Sequence, residues 1–275
     1  MKKILGIIGS PRKLGNSEII IKEISRKIPV QHELKLLRLH DMHIEPCKGC
    51  YKCLISGDCI QKDDYHIFRD ALVNSDALLV AAPTYCMGAN ASLRQITNKA
   101  FALNKYIDVL WNKPAIGIGI CGINGKEGYT LLDIENFLAL LFSKNKKCVM
   151  LTGALPGEIF RNDETKMIAR ELAALLLDPG KSGGTLKNTP SCPLCGGTTF
   201  RFRDVSTVTC VLCSNSGTVE WIDNKPVFSI KRGDHSFILS KQAAKDHYKW
   251  LLGMKDRFIK HKKELKKITI QYLES

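Results

Sequence analysis

The chain has 275 residues, 44% of them apolar, enough to bury one substantial core with room for a small second module. No run approaches the roughly 18 apolar residues of a membrane-spanning helix, and the first apolar stretch, Ile4 to Gly9, is too short for an export signal. A soluble, cytoplasmic protein is expected. The formal net charge is +14, and the eleven cysteines fall into two tight quartets and three singles, a pattern of metal ligation rather than of a disulfide framework.

Between residues 3 and 150, short aliphatic runs alternate with longer amphipathic ones. This predicts strands at 4–8, 34–39, 77–82, 115–120 and 148–151, and helices at about 17–28, 64–74, 90–110, 128–143 and 163–177. Five strands joined by helices make an α/β fold, a doubly wound five-stranded parallel sheet whose ligands bind beyond the carboxyl ends of the strands. At Asp178-Pro179-Gly180-Lys181-Ser182-Gly183-Gly184 the periodicity stops, which predicts a linker. The expected organisation is a domain at 1–180, a module at 188–232 and a basic C-terminal helix at 238–275.

The first strand runs into Gly9-Ser10-Pro11-Arg12-Lys13-Leu14-Gly15-Asn16-Ser17, and a helix follows. Hydroxyls, an amide, two basic side chains and backbone N–H groups thus meet at a helix N-terminus, which suits a terminal monophosphate. An ordinary capped turn is the plainer reading, since Asn and Ser are good N-caps.

In a loop at 45–62, Cys47, Cys50, Cys53 and Cys59 have the spacing C-x2-C-x2-C-x5-C. Such a run can wrap one 4Fe-4S cubane, whose irons each take one thiolate. Gly49 and Gly57 permit tight turns, and Lys48 and Lys52 can offset the cluster's negative charge. The alternative is four thiols, or a disulfide, with no cluster. Cys192, Cys195, Cys210 and Cys213 instead form two x2 knuckles fourteen residues apart, a zinc-ribbon pattern. A single iron in that cage would make it an electron relay; the second knuckle lacks a rubredoxin-like proline and glycine, which favours zinc. Two metal groups and a bound phosphate would each contribute about −2, leaving a net charge near +8.

The phosphate loop, followed by Ala82-Pro83-Thr84-Tyr85, resembles the FMN-binding segments of the iron-sulfur flavoprotein and NADPH-dependent FMN reductase families, which are flavodoxin-like. The resemblance covers residues 1 to about 177. It implies that Ser10, Arg12, Asn16 and Ser17, with Lys13 beside them, hold the FMN phosphate. Pro83, Thr84, Tyr85, Cys86, Met87 and Gly88, with Cys121 and Gly122, would wrap the isoalloxazine. Cys86 and Cys121 are unusual thiols there and read as small packing residues. The compact cysteine motif resembles the one that carries a 4Fe-4S cluster in the iron-sulfur flavoproteins, and the family implies a homo-oligomer, a dimer or tetramer.

From Lys241 to Ser275 there are ten Lys or Arg against four Asp or Glu, and Leu251, Met254, Phe258, Leu265, Ile268 and Tyr272 step by threes and fours. A solvated amphipathic helix explains this more simply than a nucleic-acid face does. The expected function is an oxidoreductase passing electrons between a carrier such as ferredoxin or NAD(P)H and an acceptor. The alternatives are a cluster-free NAD(P)H-dependent FMN reductase and a redox-responsive nucleic-acid-binding protein using the ribbon and tail. No catalytic residue is assigned.

Overall fold

The structure is a computed structural model that describes residues 1–177 and 189–273. The linker expected from Asp178 onward lies outside the described residues, as do the last two residues of the predicted tail. In chain order the first part contains β1 (Lys2–Ile8), α1 (Asn16–Lys27), β2 (His32–Arg38), α2 (Lys52–Ser56), α3 (Tyr65–Val73), β3 (Ala77–Tyr85) and β4 (Gly88–Ala89). It continues with α4 (Ser92–Thr97), α5 (Ile107–Leu110), β5 (Pro114–Cys121), α6 (Thr130–Leu140), β6 (Lys144–Thr152) and α7 (Glu164–Leu177).

The five long strands pair in parallel in the order β2-β1-β3-β5-β6, and β4 folds back antiparallel onto the end of β3. That order places the chain reversal between β1 and β3, so the loops after β1, β3 and β5 open on one edge, where a doubly wound sheet binds its ligand. Helices cover both faces. The buried side chains of β1, such as Leu5 and Ile7, pack against α3 and α6 through Phe68 and Phe137, while Ile4 and Ile8 pack against α1 and α7. Continuous aliphatic runs are what a strand covered on both faces requires.

The helix predicted over 90–110 is broken. Its residues form α4, a 3-10 stretch at Ala100–Tyr106 and the single turn α5. The break coincides with the inward turn of Lys99, which is 2% exposed; its amide closes a tighter turn onto the Ile96 carbonyl, 3.0 Å away.

The second part is a four-stranded antiparallel sheet of β7 (Phe200–Phe202), β8 (Thr207–Cys210), β9 (Ser216–Ile222) and β10 (Lys225–Ile230), in the order β10-β9-β8-β7. Its core consists of Cys192, Val208, Cys210, Val219 and Ile230, with Phe200 stacked on Phe228 at 3.8 Å. So few apolar groups cannot hold a module of this size without a staple. It meets the α/β domain at α6, where the Thr198 hydroxyl donates to the buried Glu135 carboxylate at 3.0 Å.

The final helix, α8 (Lys241–Ile270), starts on the Ser240 hydroxyl, which accepts from the Ala243 N–H. Its first turns return to the α/β domain: Ala244 enters the main core, Lys241 and Lys245 pair with Asp108, and the Tyr248 hydroxyl donates to the Leu54 carbonyl. Beyond Leu251 the helix is almost wholly exposed.

Candidate functional site

A concave site lies at the carboxyl ends of β1, β3 and β5, lined by Ser10, Arg12, Gly15, Asn16, Ser17, Pro83, Thr84, Tyr85, Ile120, Gly122 and the segment Gly153–Pro156. The N-cap of α1 is Gly15, which supplies no side-chain cap, so the first helical N–H groups have no intrahelical acceptor. Ser17 is 2% exposed and lies on the wall of this cavity. An uncapped helix start with a serine on the cavity wall suits an anion. The ordinary capped turn, in which Asn or Ser closes the helix, is not what forms here.

Asn16 is spent differently from the expectation. Its amide donates to the Gly153 and Leu155 carbonyls at 3.0 Å each, and its carbonyl accepts the Gly157 N–H at 2.9 Å. The side chain therefore pins the 153–157 loop beside the phosphate loop and leaves its backbone N–H for an anion. Arg12 donates one N–H to the Ala154 carbonyl at 3.1 Å, retaining others for a phosphate. Gly153 permits this approach, since a Cβ there would lie 2.7 Å from Ile159.

Beneath the loop, Glu18 accepts the Leu14 N–H at 2.8 Å, and Arg38 joins Glu18 to the carbonyls of Ser10 and Arg12. Burial raises the Glu18 carboxyl, but hydrogen bonds from Lys22, Arg38 and the Leu14 amide outweigh it and hold the group down to about 2. A carboxylate beside a loop that would take a phosphate is tolerable because these cations neutralise it.

Of the ring-side residues expected from the sequence, Pro83, Thr84, Tyr85 and Gly122 line the cavity. The Thr84 hydroxyl shares a hydrogen bond with that of Thr130 at 2.7 Å. Cys86 and Met87 instead form the turn of the β3–β4 hairpin, both with positive φ and both exposed, and Gly88 pairs with Tyr85 just beyond. Cys121 is buried with its thiol turned to the Ile123 carbonyl at 3.0 Å, and Lys13 is exposed. None of these five lines the cavity.

The first cysteine quartet surrounds a separate cavity of about 270 Å³, with Cys47, Cys50, Cys53 and Cys59 all on its wall. Lys99 and Phe101 close its inner side, and Phe101 stacks on Tyr51 at 5.8 Å. Burial, then the charges of Cys59, Cys47 and Cys50, push the Cys53 thiol up to about 11, so four thiolates would need a cationic group among them.

The loop is closed at its base by Asp63, which accepts the Glu45 N–H at 2.9 Å and the Tyr65 N–H at 3.2 Å and pairs with the ammonium of Lys99. Burial raises the Asp63 carboxyl, yet these donors hold it below its usual value. Lys99 also donates to the Cys59 sulfur at 3.7 Å. Lys48 and Lys52, the cations expected to serve this loop, are exposed. The only sequence signal for Lys99 was a lone cation among the apolar residues at 96–103, which surface lysines also produce.

The second quartet is drawn much tighter. Cys192, Cys195, Cys210 and Cys213 place all four sulfurs within 4.8 Å of one another, with Cys195 and Cys210 at 3.5 Å and Cys192 and Cys213 at 3.9 Å. A tetrahedron with metal–sulfur bonds of about 2.3 Å has edges of about 3.8 Å, so four thiolates are already set for one metal ion. Cubane corners carry their sulfurs farther apart, and among the described residues the first quartet does not collapse to this spacing.

Comparison with known proteins identifies the fold and the family. Residues 2–143, just over half of the chain, match the NADPH-dependent FMN reductase family. The chain belongs to that family. It is a redox flavoprotein and an oxidoreductase, and FMN is the flavin its family name carries. An iron-sulfur flavoprotein of Methanocaldococcus jannaschii is 29% identical over 141 residues, covering 50% of this chain and 72% of the relative. One from Archaeoglobus fulgidus is 33% identical over 101 residues, 36% of this chain. The chain spans 48% of that relative's length.

Among solved structures, a flavone reductase superposes with a TM-score of 0.69 at 17% identity, over 98% of this chain and 97% of its own. A match so extended takes in the ribbon and α8 as well as the flavodoxin-like sheet, so the FMN reductase domain and its C-terminal additions recur as one fold. No helix among the described residues is long and apolar enough to cross a membrane.

Proposed function

We propose that the protein passes electrons between a carrier such as ferredoxin or NAD(P)H and an acceptor, using FMN at the phosphate loop and a 4Fe-4S cluster on Cys47, Cys50, Cys53 and Cys59. The observation that carries this reading is the open cavity with four thiols on its wall, in a chain similar to iron-sulfur flavoproteins. When bound, FMN exchanges electrons singly or in pairs and a cluster exchanges them singly.

The chain's part is to hold and shield. Ser10, Arg12, Ser17 and the first N–H groups of α1 would take the phosphate, Asn16 would keep the 153–157 loop closed over it, and Pro83, Thr84, Tyr85 and Gly122 would border the ring. Cys192, Cys195, Cys210 and Cys213 would hold zinc as a structural staple, four thiolates leaving no open position for catalysis. Residues 1–177, 189–232 and 241–273 are read as the flavin domain, ribbon and helix, working in the cytoplasm as a homo-oligomer.

The full-length likeness to a flavone reductase favours a second reading, direct reduction of a small aromatic acceptor at the flavin with no cluster. The exposed apolar side chains Tyr85, Met87, Ile123 and Tyr129 offer such a ring a surface near the cavity mouth. Anaerobic purification followed by iron, acid-labile sulfide, zinc and flavin analysis separates the two. Four irons and four sulfides per chain support electron transfer; zinc in both quartets and no sulfide leaves the second reading in place.

A further inference from the structure

We propose that Lys99 sets the reduction equilibrium of a cluster held by the cysteine loop, acting as a buried cation hydrogen-bonded to the Cys59 sulfur. This rests on the reading of that loop as a 4Fe-4S site and adds to it a residue outside the cysteine motif.

The observations are independent of one another. Lys99 is 2% exposed although its side chain is a charged one, and burial of an ammonium is costly unless it is paired. It is paired with Asp63, whose own carboxylate is satisfied by the Glu45 and Tyr65 amides as well. The ring of Tyr65 lies 5.7 Å from the ammonium. The remaining direction of the ammonium faces the cysteine cavity, where the Cys59 sulfur accepts from it at 3.7 Å.

A clasp between residues 45 and 63 needs a cation to neutralise Asp63, but it does not need that cation to donate to a cysteine sulfur as well. Asp63 already closes that base through backbone amides. Lys99 therefore does something at the sulfur that the clasp does not.

Its effect follows from charge. Reduction adds one electron to a group that four thiolates already make negative, and a fixed cation beside one ligand stabilises the reduced form more than the oxidised one. Burial decides the magnitude: a charge pair in partly screened protein interacts several-fold more strongly than the same pair in water. Lys48 and Lys52 sit in the loop itself but are exposed, so solvent screens them.

The test is a reductive titration of the anaerobically purified holoprotein with dithionite, followed by electron paramagnetic resonance and visible absorption. Lys99→Met is compared with Lys99→Arg, with Lys48→Met and Lys52→Met, and with Asp63→Asn/Lys99→Met. The double variant removes both buried charges together and keeps the experiment informative if Asp63 without its cation unfolds the loop. Lys99→Met is expected to lower the one-electron equilibrium constant at least tenfold, about 59 mV more negative, and the double variant, which also removes the opposing Asp63 charge, should shift it in the same direction by less. Lys99→Arg should stay closer to the parent than either, and the two exposed-lysine variants should move it far less.

An intact cluster with an unmoved potential in Lys99→Met overturns the proposal, as does a shift to more positive potential in the double variant or an equal shift in Lys48→Met. Loss of the cluster from both charge-removing variants overturns it too, since Lys99 is then needed for assembly rather than tuning. Absence of iron and sulfide from the unmodified protein is a different failure: it overturns the cluster reading, and the role of Lys99 falls with it.

Discussion

Single residues around the phosphate loop divide into those that would touch the ligand and those that hold the loop. Arg12→Ala should weaken FMN binding by roughly 1 to 3 kcal/mol, because the phosphate loses a charge-assisted donor. Fluorescence titration with FMN and riboflavin checks this, and equal affinity for the two flavins would refute the phosphate assignment. Glu18 acts from below. Glu18→Gln should cost roughly 2 kcal/mol of stability at neutral pH by leaving Arg38 without its buried partner. Since its folded-state value of about 2 lies under the unfolded 4.5, this contribution is complete above about pH 4.5 and fades as the pH falls through 2. Melting curves of the two proteins should accordingly converge on acidification; a constant difference down to pH 2 would show that Glu18 acts through packing alone.

Among the elements, the two cysteine groups should fail in separate ways. Cys53→Ala should abolish acid-labile sulfide and the broad visible absorption while zinc and FMN stay near stoichiometric, because the flavin cavity is lined by other loops. In Cys210→Ala, zinc should be released and the four-stranded sheet should lose most of its order, since its apolar core is five residues and metal binding supplies the balance. Metal analysis and proteolysis of the two variants decide between them. Loss of both metals from either variant would mean that the quartets are coupled, through Glu135 and Thr198 or through α8, more tightly than their separate cavities imply. Much of this level was legible beforehand: the strands appear where aliphatic runs predicted them because covered parallel strands need such runs, and the x2 knuckles curl locally. The helix predicted over 90–110 was the miss, because the inward pull of Asp63 on Lys99 has no local signature.

At the scale of the molecule, α8 behaves as two objects. Its first turns are a strut: Ala244 is buried in the main core, Asp108 takes two lysines and Tyr248 reaches the carbonyl of Leu54, between Cys53 and Cys59. Its distal half, with Phe258, Leu265 and Ile268 exposed, touches no part of either cavity. Deletion of residues from Lys255 onward should therefore leave the flavin spectrum and metal content unchanged, whereas deletion from Lys241 should destabilise the cysteine loop. Spectra and thermal melts of both truncations check the contrast. If the cationic tail serves nucleic acid, binding should fall steeply with salt and the shorter deletion should flatten that slope; no binding at low salt removes that alternative.

What the sequence by itself determined is local: the alternation of strands and helices, the turn after β1 with its polar and basic residues, the spacing of both cysteine groups and the amphipathic period of the last helix. Each is written in residues a few positions apart, where hydrophobic period, turn chemistry and ligand spacing act. Tertiary structure decided the rest. Asn16 is committed to a carbonyl 137 positions on, Tyr248 reaches one 194 positions back, and the 153–157 loop joins the cavity beyond β1, β3 and β5 only because β6 lies beside β5 at the same sheet edge. Lys99 became a candidate for redox tuning for the same reason: a buried charge must find its partner in space, and which partner lies within reach is set by how the sheet and its helices pack, not by neighbours along the chain.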